Sequence, residues 1–198
     1  SPVKEGPDGP YVTVTVTYPD GTSETVNVPV NQKDNETHNP TVPETAVQVD
    51  APAVQDGTLS EDDKKAVKDA VVIPDGSGGV ASLPEDAKVE LVDNKPVVPV
   101  TVTYPDNTKD TVYVPVVQKD SVKYTPSLKD ANSPVLTDTP AKAETPVQDA
   151  DKAAIAAKVD LSKLPENTTA KVPDGAKVEL VDNKPVVPVL VSYPDGTS

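Results

Sequence analysis

The residues of this 198-residue chain whose types could do chemistry are few: one histidine, a run of acids at 56–63, and lysine–asparagine pairs that recur. His38 lies in the polar run NQKDNETHNP, with no cysteine in the chain and no second histidine. A lone imidazole makes neither a tetrahedral metal site nor, without a serine and an acid beside it, a nucleophilic triad. It reads as a surface linker histidine. Glu61, Asp62 and Asp63 could join Asp56 around calcium, which takes about six or more oxygens. Their order is not that of an EF-hand loop, and acids at the start of a helix are stabilised by its dipole without metal. Glycosidic chemistry needs two carboxylates flanking a sugar cleft, and no aromatic-lined cleft accompanies these acids. Lys88 with Asn94, and Lys177 with Asn183, could form an intramolecular amide only from a buried, apolar pocket. VDNKP reads more simply as a turn made by Asp93 and Asn94 ahead of Pro96. No catalytic, cofactor-binding or metal-ligating residue is expected, and no cofactor.

The elements that would position any site are clearer. VTVTVTYPDGTSETVNVPV at 12–30 returns as VPVTVTYPDNTKDTVYVPV at 98–116, and again, shorter, as VPVLVSYPDGTS at 187–198. Val12, Val14, Val16 and Tyr18 alternate with threonines, the two-residue period of a strand with one buried face. Pro19 and Asp20 suit a type I turn, and Gly21 supplies the left-handed residue of a three-residue loop with a bulge. Asn107 takes that place in the second copy, as asparagine can. Tyr18, Tyr104 and Tyr193 close the inward-facing set and are expected in the core; stacking on a glycan is the functional alternative. Pro29 and Pro115 mark the second strand as an edge or bulged strand.

The repeat is domain-sized. AKVELVDNKPVVPV occurs at 87–100 and again at 176–189, 89 residues later. That period exceeds the unit of a stacked solenoid and suits small domains in tandem. The expected division is 1–33 as the C-terminal hairpin of a preceding repeat, 34–120 as a complete repeat, and 121–198 as a repeat lacking its last strand. Pro-rich segments at 39–54 and 124–147 open the two later units, and Val47, Val49 and Val54 suggest that the first docks along a sheet edge. A helix follows, with Ser60 and Asp63 in reciprocal capping positions and Leu59, Val67, Ala70 and Val71 as its apolar side. In the next unit Asp149 is the expected cap and Ile155 takes the role of Val67.

Composition excludes several functions. All 18 basic residues are lysine, and 32 acids bring the net charge to −14. Such a surface repels nucleic acid and anionic membranes and favours solubility. With no Phe, Trp, Met or Cys, any core is built from aliphatic side chains and a few of the six tyrosines. The chain stops inside a hairpin turn, so it is expected to be a piece of a longer protein, with targeting and anchoring signals outside it.

The string VTVTYPDGTSETVNVPV, closing a unit of this length after a helix and a PDG turn, resembles the Rib domain of cell-wall-anchored surface proteins of Gram-positive bacteria. The longer variety of that domain is the nearer likeness, and nearly the whole chain is covered. The resemblance implies an all-β fold of tandem, compact immunoglobulin-like sandwiches, here each with one short helix. It also implies a stalk that projects an adhesive region from the cell wall, at the cell surface, with neighbouring repeats as partners. NKPVVPV departs from it, standing where a Pro-Gly turn is expected before the long strand. The competing expectation is an adhesin module that binds host glycan or protein directly, hinted at by Leu190 in the place of the outward Thr101. A third expectation concerns the chain's own ends: the 24–30 strand, or its hairpin, of one molecule completes the last unit of another, because an unpaired sheet edge is a template for a further strand.

Overall fold

The computed structural model describes all 198 residues. In chain order the elements are β1 (Val3–Gly6), β2 (Gly9–Thr17), β3 (Ser23–Pro29), α1 (Asp34–Thr37), β4 (Val47–Val49), α2 (Glu61–Asp69), β5 (Val80–Ser82), β6 (Glu90–Val92), β7 (Lys95–Thr103), β8 (Lys109–Gln118) and α3 (Asp120–Lys123). There follow β9 (Ser127–Leu128), α4 (Asp149–Ala156), β10 (Val159–Asp160), β11 (Thr169–Lys171), β12 (Glu179–Val181), β13 (Lys184–Val186) and β14 (Leu190–Ser192). Strand dominates and the helices are short, the all-β, immunoglobulin-like class that the sequence leads one to expect.

The valine-rich hairpins form as their alternation requires. β2 and β3 pair antiparallel with Val12 opposite Val28 and Val14 opposite Val26. β7 and β8 repeat that register, with Val98 opposite Val114 and Val100 opposite Val112. The second copy sits in a sheet of order β4-β8-β7-β5, with β6 also on β7. β4 joins β8 in parallel over Val47↔Val116 to Val49↔Gln118. β8 is therefore an edge strand as far as Pro115, as that proline suggests, and β4 covers its last three residues, Val116–Gln118. Val47 and Val49 dock as the alternation suggests, whereas Val54 remains exposed. The entrance to β7 is a two-residue turn, Asp93 and Asn94, both left-handed at φ 50° and 60°. That pair matches the twist of a tight hairpin, and so replaces a Pro-Gly turn.

The largest core lies under this sheet. Val98, Val100, Val102, Val114 and Val116 point into it from the strands, Val49 from β4, and Leu59, Val67 and Val71 from around α2. α2 is held at its start by a capping box: the Asp63 amide donates to Ser60 Oγ at 3.1 Å, and the Ser60 amide to Asp63 Oδ2 at 3.1 Å. Asp63 reaches further, accepting from the Asp50 amide at 2.7 Å and the Ala51 amide at 3.1 Å. Burial opposes its charge, yet these donors together hold its carboxyl below the usual range. One carboxylate thus ties the extended segment to the helix.

α4 is built differently. Its cap is Gln148, which makes no side-chain cap bond; Asp149 is the first helical residue and pairs with Lys152 at 2.6 Å. The expected cap at Asp149 is thus one residue too late, because Gln148 occupies the place that Ser60 has before α2. A hydroxyl of the preceding loop relays the bond that Ser60 makes directly: the Gln148 amide donates to Thr139 Oγ1 at 2.9 Å, and Thr139 donates to Asp151 at 2.5 Å, while the Asp151 amide bonds to the Gln148 carbonyl at 3.0 Å. Asp151 accepts from the Asp138 and Thr139 amides, as Asp63 does from Asp50 and Ala51. The apolar residues behind α4 divide into two clusters of three buried residues, one around Val172 and one around Tyr193.

Candidate functional site at the hairpin turns and linkers

Every copy of the YPD turn closes the same way. The Pro at its second position presets φ, and the fourth residue is left-handed: Gly21 at φ 87°, Asn107 at 67°, Gly196 at 86°. The amide of that residue donates to the Tyr carbonyl at 2.9, 2.9 and 3.0 Å respectively. Oδ1 of Asp20, Asp106 and Asp195 accepts from both the amide and the hydroxyl of the threonine two residues on. One oxygen of each carboxylate is consumed by the turn. The other is free for something else.

In two of the three turns a linker takes it. The Asp34 amide, at the start of α1, donates to Asp106 Oδ2 at 2.8 Å, and the Asn35 amide to Thr108 Oγ1 at 3.1 Å. At the start of α3 the Asp120 amide donates to Asp195 Oδ2 at 2.8 Å, and the Ser121 amide to Thr197 Oγ1 at 3.0 Å. These are helix-terminal N–H groups that no intrahelical carbonyl can satisfy. A ring closes each joint: His38 stacks on Tyr104 at 5.8 Å between centroids, and Tyr124 on Tyr193 at 6.4 Å. The second joint carries two further ties. Gln48 Nε2, on β4, donates to the Asp195 carbonyl at 2.7 Å, so the first core touches the turn of the next region directly. Just upstream, the Lys119 amide donates to the Val49 carbonyl at 2.9 Å, and Lys119 Nζ pairs with Asp50 at 2.8 Å.

Charge follows these contacts. Hydrogen bonds from Thr108 hold Asp106 below the ordinary carboxylate range. Partial burial works against Asp195, but the Asp120 amide and Thr197 outweigh it and its carboxyl also lies low. Burial and the nearby Asp110 carboxylate, which accepts its hydroxyl at 2.8 Å, push Tyr104 up to about 12. The joints are therefore built on ionised carboxylates meeting backbone N–H groups.

The residues weighed for chemistry are scattered by the fold. His38 is in the linker after α1, half-buried against Tyr104. Asp63 spends both oxygens on backbone amides, while Glu61 faces solvent and pairs with Lys64 at 2.8 Å. Lys88 and Lys177 are exposed; Lys177 pairs with Glu144 at 2.9 Å. Asn94 and Asn183 sit at turn tips with φ 60° and 59°. Tyr104 and Tyr193 are buried as expected, but Tyr18 is 42% exposed, because no core lies beneath its hairpin. The sequence reasoning missed the joints. Their signal was present, since each linker helix begins at the Asp of a QKD and an Asp and a Thr recur in each turn.

The common features are thus local: strand-rich segments that run into the same YPD turn, two of those turns each holding a linker. Residues 5–34 match the family described as the Rib domain. The chain is also similar to the C protein alpha-antigen of Streptococcus agalactiae serotype Ia, 38% identical over 194 residues that cover 94% of this chain and 17% of that protein. The family match is confined to residues 5–34, and the chain spans about 17% of the length of the curated relative that it matches.

Proposed function

We propose that the chain is a run of non-catalytic spacer repeats from a bacterial cell-surface protein, a stalk that holds an adhesive region away from the cell wall. In this reading the division is a hairpin at 1–33 from one repeat, a complete repeat at 34–120 and a further repeat from 121 onward. The observation that carries it is the joint at 119–124. A linker docked by its first amides on the turn of the following repeat, with Gln48 bridging to the same turn, fixes the angle between neighbours. The same pair of amide contacts at Asp34 and Asn35 makes the joint a property of the repeat. An acidic, arginine-free surface suits a soluble exposed rod. The Streptococcus relative and the Rib family support a surface location, and wall attachment is part of the proposal.

Small-angle X-ray scattering on arrays of two, three and four complete repeats tests the stalk. The expected maximum dimension grows by one fixed increment per repeat, and Gln48→Ala with Asp195→Ala broadens the distance distribution. A compact particle, or a broad ensemble from the intact joint, removes the reading.

A second reading, direct binding of a host glycan or protein, is favoured by one observation. Leu91 and Val92, and their copies Leu180 and Val181, are 41–54% exposed in segments of identical sequence, with Leu190 exposed as well. Binding of soluble repeats to glycan arrays and host matrix proteins, lost on Leu91→Ser with Leu180→Ser, separates it from the spacer.

A further inference from the structure

We infer that Asp75 is a site of spontaneous covalent change, where the side-chain carboxyl closes on the Gly76 amide and reopens as isoaspartate. Asp is followed by Gly at 8, 20, 56, 75, 174 and 195, and at all of these but 56 a Pro precedes it. Glycine, with no side chain, hinders approach to its own nitrogen least. The intrinsic chemistry of these links is therefore nearly the same. The fold makes them unequal.

At 20 and 195 the link is held from both sides. The Gly21 and Gly196 amides donate to the Tyr18 and Tyr193 carbonyls, and each aspartate accepts from the threonine two residues on. The Gly57 amide is engaged too, donating to the Val54 carbonyl at 3.0 Å, and Gly9 stands opposite Gly6 where β1 pairs with β2. At 75 and 174 the bond that closes the turn skips the glycine. It runs from the Ser77 amide to the Pro74 carbonyl, and from the Ala176 amide to the Pro173 carbonyl, each at 3.2 Å. The Gly76 and Gly175 amides donate to no protein group, and both links are exposed. Asp174 still has contacts to give up before it can reach its glycine, with Lys152 Nζ at 3.5 Å and Lys171 Nζ at 3.7 Å. No lysine is paired with Asp75.

The matching turn in the next region is a built-in control. Pro165, Glu166, Asn167 and Thr168 stand where Pro74, Asp75, Gly76 and Ser77 do. Thr168 reaches the Pro165 carbonyl with its amide at 3.1 Å and its hydroxyl at 2.7 Å, as Ser77 reaches that of Pro74 at 3.2 and 2.7 Å. Asn167 keeps the left-handed backbone, at φ 69° against 76° for Gly76. Glu166, with one methylene more, can close only a larger ring, and Asn167 brings a Cβ beside the nitrogen. The geometry is shared and the reactive pair is not.

The step balances with water alone. The Gly76 nitrogen bonds to Asp75 Cγ, and the hydroxyl of the protonated carboxyl leaves as water with the proton that the nitrogen gives up. The resulting succinimide takes up one water again. Opening at the main-chain carbonyl of Asp75 frees that group as a carboxylate and leaves the backbone running through Cβ and Cγ, one atom longer. The extra atom falls between Pro74 and Ser77, whose bonds close the turn. There is little slack beyond it: a Cβ at Gly79 would meet Val102 at 3.0 Å and Tyr104 at 3.1 Å. The strain passes to the start of β5, where Val80 pairs with Thr103 of β7.

Ageing the full 198-residue chain at neutral pH is the test, read by methyl transfer from an isoaspartyl methyltransferase and located by peptide mapping. In the folded chain the label is expected to concentrate at Asp75, with Asp174 several-fold behind and Asp8, Asp20, Asp56 and Asp195 near background. Ageing in concentrated urea evens the label out among these sites, because only the fold distinguishes them. Asp75→Glu, at an exposed position, removes the leading label with unchanged circular dichroism. Lys152→Ala with Lys171→Ala raises the label at Asp174 towards that at Asp75. In the aged chain, amide hydrogen exchange quickens over 77–82 and stays as it was over the control turn at 165–168. Label at Asp20, Asp56 or Asp195 equal to that at Asp75 in the folded chain overturns the proposal. So does one distribution for folded and unfolded chain, an Asp174 that ignores the loss of its lysines, or exchange over 77–82 that ageing leaves unchanged.

Discussion

The hairpins at 9–29 and 95–118 are the same local object in two surroundings. Their valines alternate alike, their registers coincide, and their turns share the Tyr–Thr backbone pair and the Asp–Thr contacts. In one, Val98, Val100 and Val102 are wholly buried; in the other, Val14 and Val16 are 43% and 40% exposed. What differs is the chain between 42 and 89, which supplies Val49, Leu59, Val67 and Val71 to one hairpin and nothing to the other. Hairpin geometry is thus a local property of turn and alternation. Burial is not.

Substitutions at matched positions test that division. The largest effect is expected from Val100→Asp, which buries an unpaired charge and costs more than about 4 kcal/mol. Val14→Asp, its counterpart in the open hairpin, changes unfolding by less than about 0.5 kcal/mol. Urea titration followed by circular dichroism reads both. If Val14→Asp unfolds the protein as Val100→Asp does, the hairpin at 9–29 is buried after all.

Asp63→Asn comes next. It turns an acceptor of three backbone N–H bonds into a group with one acceptor oxygen, at about 2–3 kcal/mol. The clamp also sets an acid limit. Because the folded carboxyl titrates below its ordinary 3.8, the stability it contributes is complete above that value and lost as pH falls through the folded one. Thermal unfolding should therefore weaken below about pH 4 in the wild type, with that share of the slope missing in Asp63→Asn. The hairpin at 9–29 has no carboxylate tying it to a second element, so its β2–β3 pairing persists through the same window, with changes confined to the Asp20–Thr22 turn.

The smallest contrast is Tyr104→Phe against Tyr18→Phe. Loss of the hydroxyl bond to Asp110 costs about 1 kcal/mol in the buried hairpin. The exposed pair, Tyr18 with Glu24 at 3.1 Å, contributes little when removed. At alkaline pH the Tyr104 contribution is complete below the ordinary 10.0 and lost as pH rises through about 12. Ultraviolet titration should show one phenol near that value which disappears in Tyr104→Phe.

The parts of the fold legible in the sequence are those fixed by short-range chemistry. The β2–β3 and β7–β8 hairpins, the left-handed residues at 21 and 107, and the Ser60–Asp63 box all follow from neighbours in the chain. The start of α4 does not, because the Gln148 amide reaches Asp151 through a hydroxyl nine residues upstream, at Thr139. Tyr18 has the same local sequence as Tyr104, and only the presence of a core decides between them. The joints escaped for a similar reason. Asp20 is read from sequence as a turn residue, and the second oxygen of its counterpart Asp106 finds its partner 72 residues away. Long-range pairs between polar groups leave no periodicity to read.

The parallel pairing of β4 with β8 has a consequence in the handling of load. The chain enters the core through β4 and leaves it through β8, side by side and pointing the same way. Tension applied to the two flanking linkers drags these strands past each other along their length. The rungs from Val47↔Val116 to Val49↔Gln118 then resist together, in shear, with no single rung left to peel first. The Lys119–Val49 bond lies in the same line, at the point where the pull arrives.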